Sequence, residues 1–354
     1  MIRAFDRWLL PYLKRRIIKT DEPIHLFLAV CDHFEPFHGS DKAGARERLT
    51  VWEQKFPKFV DSFLDLNGVS PRHTFFFPVE QYDPHILDRL AGICQKTGSE
   101  VEIHLHHKND SPAGVRAALE KGKVDLLRHG LLSRDAEGSV RYGFIHGNWA
   151  LNNSHPKGEG CGVDHEIPIL RQTGCYADFT MPSAPSSTQS RVINRIGYAQ
   201  DLKGRLALDR AENAEVNASI RRRENTDELL MIPGPLALNW RKRKWGVIPK
   251  IENGDITGAN PPTLSRLHLA KKLGISVTGK PEWVFVKWHT HGGIERNFEM
   301  LLGEPMHRFH ESLGGCKDLN FHYVTAREMA NLAHAAEDGC EGNPDNFRDY
   351  CFRR

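Results

Sequence analysis

The feature that most constrains this chain is a repeating unit. An apolar run of strand length breaks off in histidine or acid, and a helical pattern follows. Ile24–Cys31 (IHLFLAVC) is nearly continuously apolar, as expected of a strand buried on both faces in a parallel sheet. It runs out into Asp32-His33-Phe34-Glu35-Pro36. A helical pattern then spans about Lys42 to Leu66, with Trp52, Phe56, Phe59, Val60 and Phe63 at helical spacing. His73–Val79 (HTFFFPV) repeats the strand pattern and ends near Glu80, Gln81 and Asp83; Pro84 opens a helix that Gly98 closes. The strand that follows, beginning at Glu100, delivers His104, His106 and His107.

The unit recurs. Strands are predicted at Val140–Trp149, Cys175–Met181, Leu229–Trp240 (broken by Pro-Gly-Pro), Trp283–Trp288 and Leu319–Val324, with helices between. Thr325 and Glu328 form a capping box for the last helix, and the tail after Glu337 reads as polar and loosely held. Such alternation argues for parallel βαβ units. In these folds the carboxyl ends of the strands carry the chemistry. Asp32/His33, Glu80/Asp83 and His104/His106 are therefore expected on one rim, joined by His146, Asn148, Trp149, Asp178, His289 and His291 from later strand ends.

Side chains alternate along a strand, so His104 and His106 share a face with Glu102, and His107 points away. Two imidazoles at i and i+2 can reach one cation. Zinc and similar metals take imidazole nitrogen and carboxylate oxygen, and catalytic sites leave a position open for water. Asp32 or His33 with His104 and His106 would supply such a set. A nearby carboxylate would then take a proton from water, and His289 or His291 would protonate a leaving group. No G-x-S-x-G, P-loop or G-x-G-x-x-G context is present, which removes the common serine-hydrolase and nucleotide-binding alternatives.

Composition narrows the setting. The formal charge of +3 over 354 residues gives no argument for nucleic-acid binding. Seven scattered cysteines without a C-x-x-C pair fit a reducing, cytoplasmic compartment better than a disulfide framework. No run approaches the ~20 apolar residues of a membrane span. The basic, amphipathic segment 1–19 reads first as an ordinary packed helix, and second as one that could rest on an anionic membrane surface, at the inner face. Segment 191–226 is charged and irregular and reads as an insertion or flap; Arg241–Lys244 beside Trp245 is a basic patch.

The order of strand-end motifs resembles the polysaccharide deacetylase (NodB-type) family of the glycoside hydrolase/deacetylase (β/α)-barrel superfamily. That family ends its first strand in an Asp-Asp pair, one the base and one a metal ligand; here the pair is Asp32-His33 in AVCDHFEP. Its two histidine ligands follow a strand similar to EVEIHLHH, although family members often space them four apart, and His106 plus four is Asp110. Either His104 pairs with His106, or His106 pairs with Asp110. The arginine motif of the family is replaced by FIHGNW, GCYADFT resembles the fourth strand, where Asp178 would orient its neighbours, and FVKWHTHG resembles the final motif with the catalytic histidine. The chain is also similar to a group of deacetylase-like proteins, without an assigned substrate, that carry FIHGNW and GCYADFTMPSAP.

The resemblance implies one α/β domain over residues 1–354, a distorted (β/α) barrel of six to eight mostly parallel strands with a divalent metal, zinc by preference, at the strand carboxyl ends. It implies a hydrolase that removes an N- or O-acyl group from a carbohydrate or a sugar-containing lipid precursor. Asp32, His289 and His291 would be catalytic, His33, His104 and His106 would hold the metal, and Glu35, Glu80, His146, Asn148, Trp149 and Asp178 would face substrate. Two other readings stand beside it. One is a glycoside hydrolase using two of Glu35, Glu80 and Asp178. The other is a glycan-binding barrel without turnover, with Trp149, Trp240, Trp245 and Trp288 as stacking candidates.

Overall fold

The computed structural model describes residues 4–15, 20–161, 163–202, 207–217, 225–317 and 319–354. The strands are β1 (His25–His33), β2 (Thr74–Pro78), β3 (Glu100–Leu105), β4 (Ser133–Arg134), β5 (Val140–His146), β6 (Cys175–Asp178), β7 (Gly197–Gln200), β8 (Glu212–Asn213), β9 (Glu228–Met231), β10 (Ala237–Lys244), β11 (Ile248–Glu252), β12 (Trp283–Thr290) and β13 (Asn320–Tyr323). The helices are α1 (Phe5–Lys14), α2 (Lys42–Val60), α3 (Pro84–Thr97), α4 (Pro112–Leu127), α5 (Glu166–Thr173), α6 (Leu264–Leu273), α7 (Phe298–Leu302), α8 (Glu304–Gly314) and α9 (Ala326–Glu337). Their ends sit where local chemistry puts them. The Asp83 side chain accepts from the His85 and Ile86 N–H groups ahead of Pro84, and Gly98 ends α3 in the left-handed region (φ 67°).

The fold is α/β with a mostly parallel central sheet. Eleven strands join it, in the order β12-β1-β2-β3-β5-β6-β9-β7-β8, with β13 also on β1 and β4 on β5. From β12 through β9 every neighbouring pair is parallel. β7 and β8 add antiparallel at the far end, and among the described residues no strand pairing closes the sheet into a barrel. The gap beyond β9 is crossed by side chain rather than ladder: Lys287 Nζ on β12 donates to the carbonyls of Phe179 and Met181 after β6.

Strand alternation sorts the core into two layers. Phe27, Ala29 and Cys31 of β1 pack on the inner face with Phe76, Ile145 and Phe285. Leu26 and Leu28 face outward with Phe75, Phe77, Val101, Ile103 and Leu105, against helices such as α2 and α3. Helix α9, buried along its whole length, joins the inner layer. Arg327 pairs with Glu100 at 2.8 Å, and the Ala326 N–H donates to Thr74 Oγ1, so α9 covers the amino ends of β2 and β3.

Two expectations change, and the first helix forms. The tail beyond α9 is pinned rather than loose: Arg327 and Asn331 hold the Arg348 and Phe352 carbonyls, and Arg353 bridges to Arg134. The described part of segment 191–226 supplies β7 and β8 to the sheet; residues 203–206 and 218–224 lie outside the described residues. In segment 1–19, α1 buries Trp8 and Tyr12 and leaves Leu10 and Leu13 exposed, while residues 1–3 and 16–19 lie outside the described residues. No described helix is long and apolar enough to cross a membrane.

Candidate functional site

Five side chains from three strand ends meet on the inner face. His33 closes β1, Glu35 follows two residues later, His104 and His106 come from the end of β3, and His291 follows β12. Ligand atoms of Glu35, His104 and His106 lie within 4.8 Å of one another, and so do those of His33, Glu35 and His291. The rings of His33 and His104, and of His33 and His291, are both 4.9 Å apart between centroids. Buried histidine and glutamate groups that could hold a metal ion are thus present.

Ring orientation says more than proximity. His104 Nδ1 is 2.9 Å from the Ile145 carbonyl, an acceptor only, so Nδ1 carries a proton and Nε2 is left to take either a second proton or a metal ion. That nitrogen faces Glu35 Oε1 at 3.1 Å. His106 repeats the arrangement, with Nδ1 2.7 Å from Glu80 Oε1 and Nε2 3.2 Å from the same Glu35 oxygen. Two lone pairs and a carboxylate oxygen pointed at one another repel unless a cation, a proton or a metal, lies between them. Separations of 3.1–3.2 Å suit donors about 2.0–2.2 Å from a shared metal. Histidine donating its other nitrogen to a carboxylate or carbonyl is the usual support for such ligands.

Without a metal, protons take that place. Burial alone would raise the Glu35 carboxyl, but hydrogen bonds from His104 and His106 reverse the sign and hold it well below the carboxylate range. Burial, with His291 and His104 nearby, pushes His33 far down, so that ring is neutral; His291 is lowered for the same first reason. His106 is the exception. Burial would lower it, yet Glu35 and Glu80 together lift it to about 9.

Asp32 is not at this centre. Alternation turns it to the outer face, opposite His33, where it is fully buried. His73 Nε2 lies 2.8 Å from its Oδ2, and the Gly292 N–H donates to Oδ1 at 2.6 Å. With both oxygens engaged, Asp32 ties the loop that carries His291 to β1. That loop needs its glycines: a Cβ on Gly292 would lie 2.1 Å from Asp32 Oδ2, and one on Gly293 2.6 Å from the Glu35 backbone.

The other expected residues divide. Glu80, Asn148 and Trp149 line an open cleft of about 960 Å³ together with Glu35, His106 and His291. Glu80 is held by His106, and Asn148 is tied to the His107 and Gly160 carbonyls, so Trp149 is the freest of the three. His289 does not line the cleft; its ring lies 6.0 Å from His33, and burial beside Lys287 keeps it neutral. Asp178 is buried, bonded to Thr180, and raised to about 7 chiefly by burial. His146 is fully buried on the outer face with His107, away from the cleft. Asp110 lies 4.0 Å from His107 Nδ1 and outside the Glu35 group, so the His106–Asp110 pairing does not form. Trp288 is core, whereas Trp240 and Trp245 are exposed.

Neither a protein-family model nor a curated protein matches the chain.

Proposed function

We propose that this chain is a metal-dependent hydrolase that removes an N- or O-acyl group from a carbohydrate or sugar-bearing lipid precursor, on an opened, distorted (β/α) barrel of the polysaccharide deacetylase type. The carrying observation is the pair of His104 and His106 Nε2 atoms aimed at one Glu35 oxygen, each ring fixed from behind by Ile145 or Glu80. Glu35, His104 and His106 would hold the ion, with His33 beneath them. A divalent cation bound there supplies Lewis acidity, polarising an acyl carbonyl and acidifying water. Zinc suits this nitrogen and oxygen donor set.

The chain's own groups supply the remainder. His291 borders both the cleft and Glu35, and burial keeps it neutral, so its imidazole can accept a proton from water and return it to the leaving amine or alcohol. Asp32 holds the Gly292 N–H and thereby the approach of His291. Trp149 offers an exposed ring on the cleft wall, a surface for a sugar face.

The glycosidase reading is weaker for a specific reason. Glu35 and Glu80 are bound to opposite nitrogens of the same imidazole, and Asp178 is buried outside the cleft. No two of these carboxylates are free to flank a glycosidic bond. Zinc-loaded protein assayed on panels of N-acetyl and O-acetyl sugars is expected to release acetate, with His291→Ala losing most of the activity. Silence across both panels would defeat the hydrolase assignment.

Peripheral membrane contact, the remaining part of the proposal, is supported by two elements that share a small core. Trp8 and Tyr12 of α1 pack with Leu236 and Ala237 at the base of the β10–β11 hairpin. The hairpin carries Arg241, Lys242, Arg243 and Lys244 beside exposed Trp245 and Val247. Cations with apolar side chains among them suit an anionic bilayer surface.

A further inference from the structure

A second group of ligand-type side chains lies on the opposite face of the sheet from the cleft. The alternation that turns His104 and Ile145 inward turns His107 and His146 outward, where they meet Cys161 from the loop after β5 and Glu166 from the first turn of α5. All four are buried, with ligand atoms within 4.8 Å of one another. His107 Nε2 is 3.0 Å and His146 Nε2 3.7 Å from Glu166 Oε1, while Cys161 Sγ is 3.5 Å from Glu166 Oε2. Donors at ~2.0–2.3 Å from a tetrahedral zinc ion stand about 3.3–3.7 Å apart, so the His107–Glu166 and Cys161–Glu166 separations approximate two edges of such a shell.

The hydrogen bonds within the group leave gaps. His107 Nδ1 and His146 Nε2 are buried without a hydrogen-bond partner. The Val163 N–H donates to Cys161 Sγ at 3.3 Å, which favours negative charge on sulfur, whereas burial and the Glu166 carboxylate push the thiol up in the metal-free chain, where Sγ donates to the Val163 carbonyl and Glu166 Oε2. Asp110 stands 4.0 Å from His107 Nδ1, placed to take up the ring proton when Nε2 serves as a ligand.

We propose that Cys161, His107 and Glu166 bind a zinc-class cation as a structural centre separate from the cleft, with His146 walling its fourth side. The thiolate and the carboxylate would neutralise a dication, so the ion can be buried without net charge. Binding displaces the thiol proton of Cys161 and the proton shared by His107 and Glu166. His146 is assigned as wall because the Asn148 and Ala150 N–H groups both point at its Nδ1, which leaves the ring proton on Nε2. Glu166 has both carboxylate oxygens in the group, one toward His107 and one toward Cys161.

The centre would pin the loop that forms one wall of the cleft. Residues 147–165 join β5 to α5 and carry Asn148, Trp149, His155 and Glu159 along the cleft. Trp149, Asn152, Asn153 and His165 take positive φ in or beside this loop, a conformation that is held only where its surroundings over-determine it.

The test is the absorption spectrum of the full chain loaded with cobalt(II). Cys161 is the one thiol in any ligand group found among the described residues, so a thiolate-to-cobalt charge-transfer band reports this centre and not the Glu35 group. The band is expected in wild type, is expected to persist in His104→Ala, and is expected to vanish in Cys161→Ser with loss of about one bound metal per chain. A wild-type protein that takes up cobalt without the band overturns the proposal, as does a band retained in Cys161→Ser. The wild-type spectrum needs no variant, so it stands even if Cys161→Ser fails to fold. Because the band requires sulfur, it also stands or falls separately from the hydrolase reading.

Discussion

At the scale of single side chains, the groups behind the histidines matter as much as the histidines. Glu80 accepts from His106 Nδ1 and so aims Nε2 at Glu35. Glu80→Gln keeps the shape but exchanges a charged acceptor for a neutral one, and is expected to weaken metal binding at the cleft by about 10- to 100-fold. Titration against a competing chelator checks this; an unchanged affinity would place the metal elsewhere. Glu102 is a second residue with a measurable signature. Burial pushes its carboxyl up to about 8, against opposing hydrogen bonds from Tyr176 and Gly143. The folded state therefore holds a proton that the unfolded chain gives up at ordinary glutamate pH. The contribution is fully present below the unfolded value and is lost as pH rises through about 8. Urea midpoints should fall between pH 5 and about 8 in wild type, and the fall should flatten in Glu102→Gln.

At the scale of elements, much of the molecule was legible because local signals agreed. The apolar runs became β1, β2, β3 and β12, and the Thr325–Glu328 capping box formed at the head of α9. Thr325→Ala removes an oxygen that accepts the Glu328 N–H and is expected to cost about 1 kcal/mol of stability. Thermal melting checks this, and because α9 underlies the inner core the loss should appear in the global transition. What misled was direction. Asp32 and His33 looked like one functional pair, but a period of two sends neighbours to opposite faces, so one lies against helices and the other in the centre. Glu35 was underrated because it lies past the end of β1, where the alternation no longer reports where a side chain points. The Cys161–Glu166 group escaped notice for another reason: its members come from the segment after β3, from β5, from a loop and from α5. The available clue was that His107 and His146 both occupy outer-face positions. The tail looked free because its contacts are carbonyls held by Arg327 and Asn331, which composition cannot show.

At the scale of the whole molecule, the proposed metal centres and the proposed membrane contact lie on different elements. The inner face at the strand carboxyl ends carries the Glu35 centre, and the outer face carries the Cys161 group. The α1 and β10–β11 elements share a separate small core and present cations beside exposed Trp245. Co-sedimentation with vesicles rich in anionic lipid is expected for wild type, to weaken with added salt, and to fall at least several-fold when Arg241, Lys242, Arg243 and Lys244 become glutamine. Equal binding by that variant would remove the membrane contact and leave the hydrolase reading intact.

The central claim is that Glu35, His104 and His106 share one metal ion, and the most direct measurement is an anomalous difference map from zinc-grown crystals recorded at the zinc edge. A peak within ligand distance of Glu35, His104 Nε2 and His106 Nε2 is the expected result. Zinc-grown crystals whose map holds no peak there would contradict the assignment and leave Glu35 as the acceptor of two histidine protons.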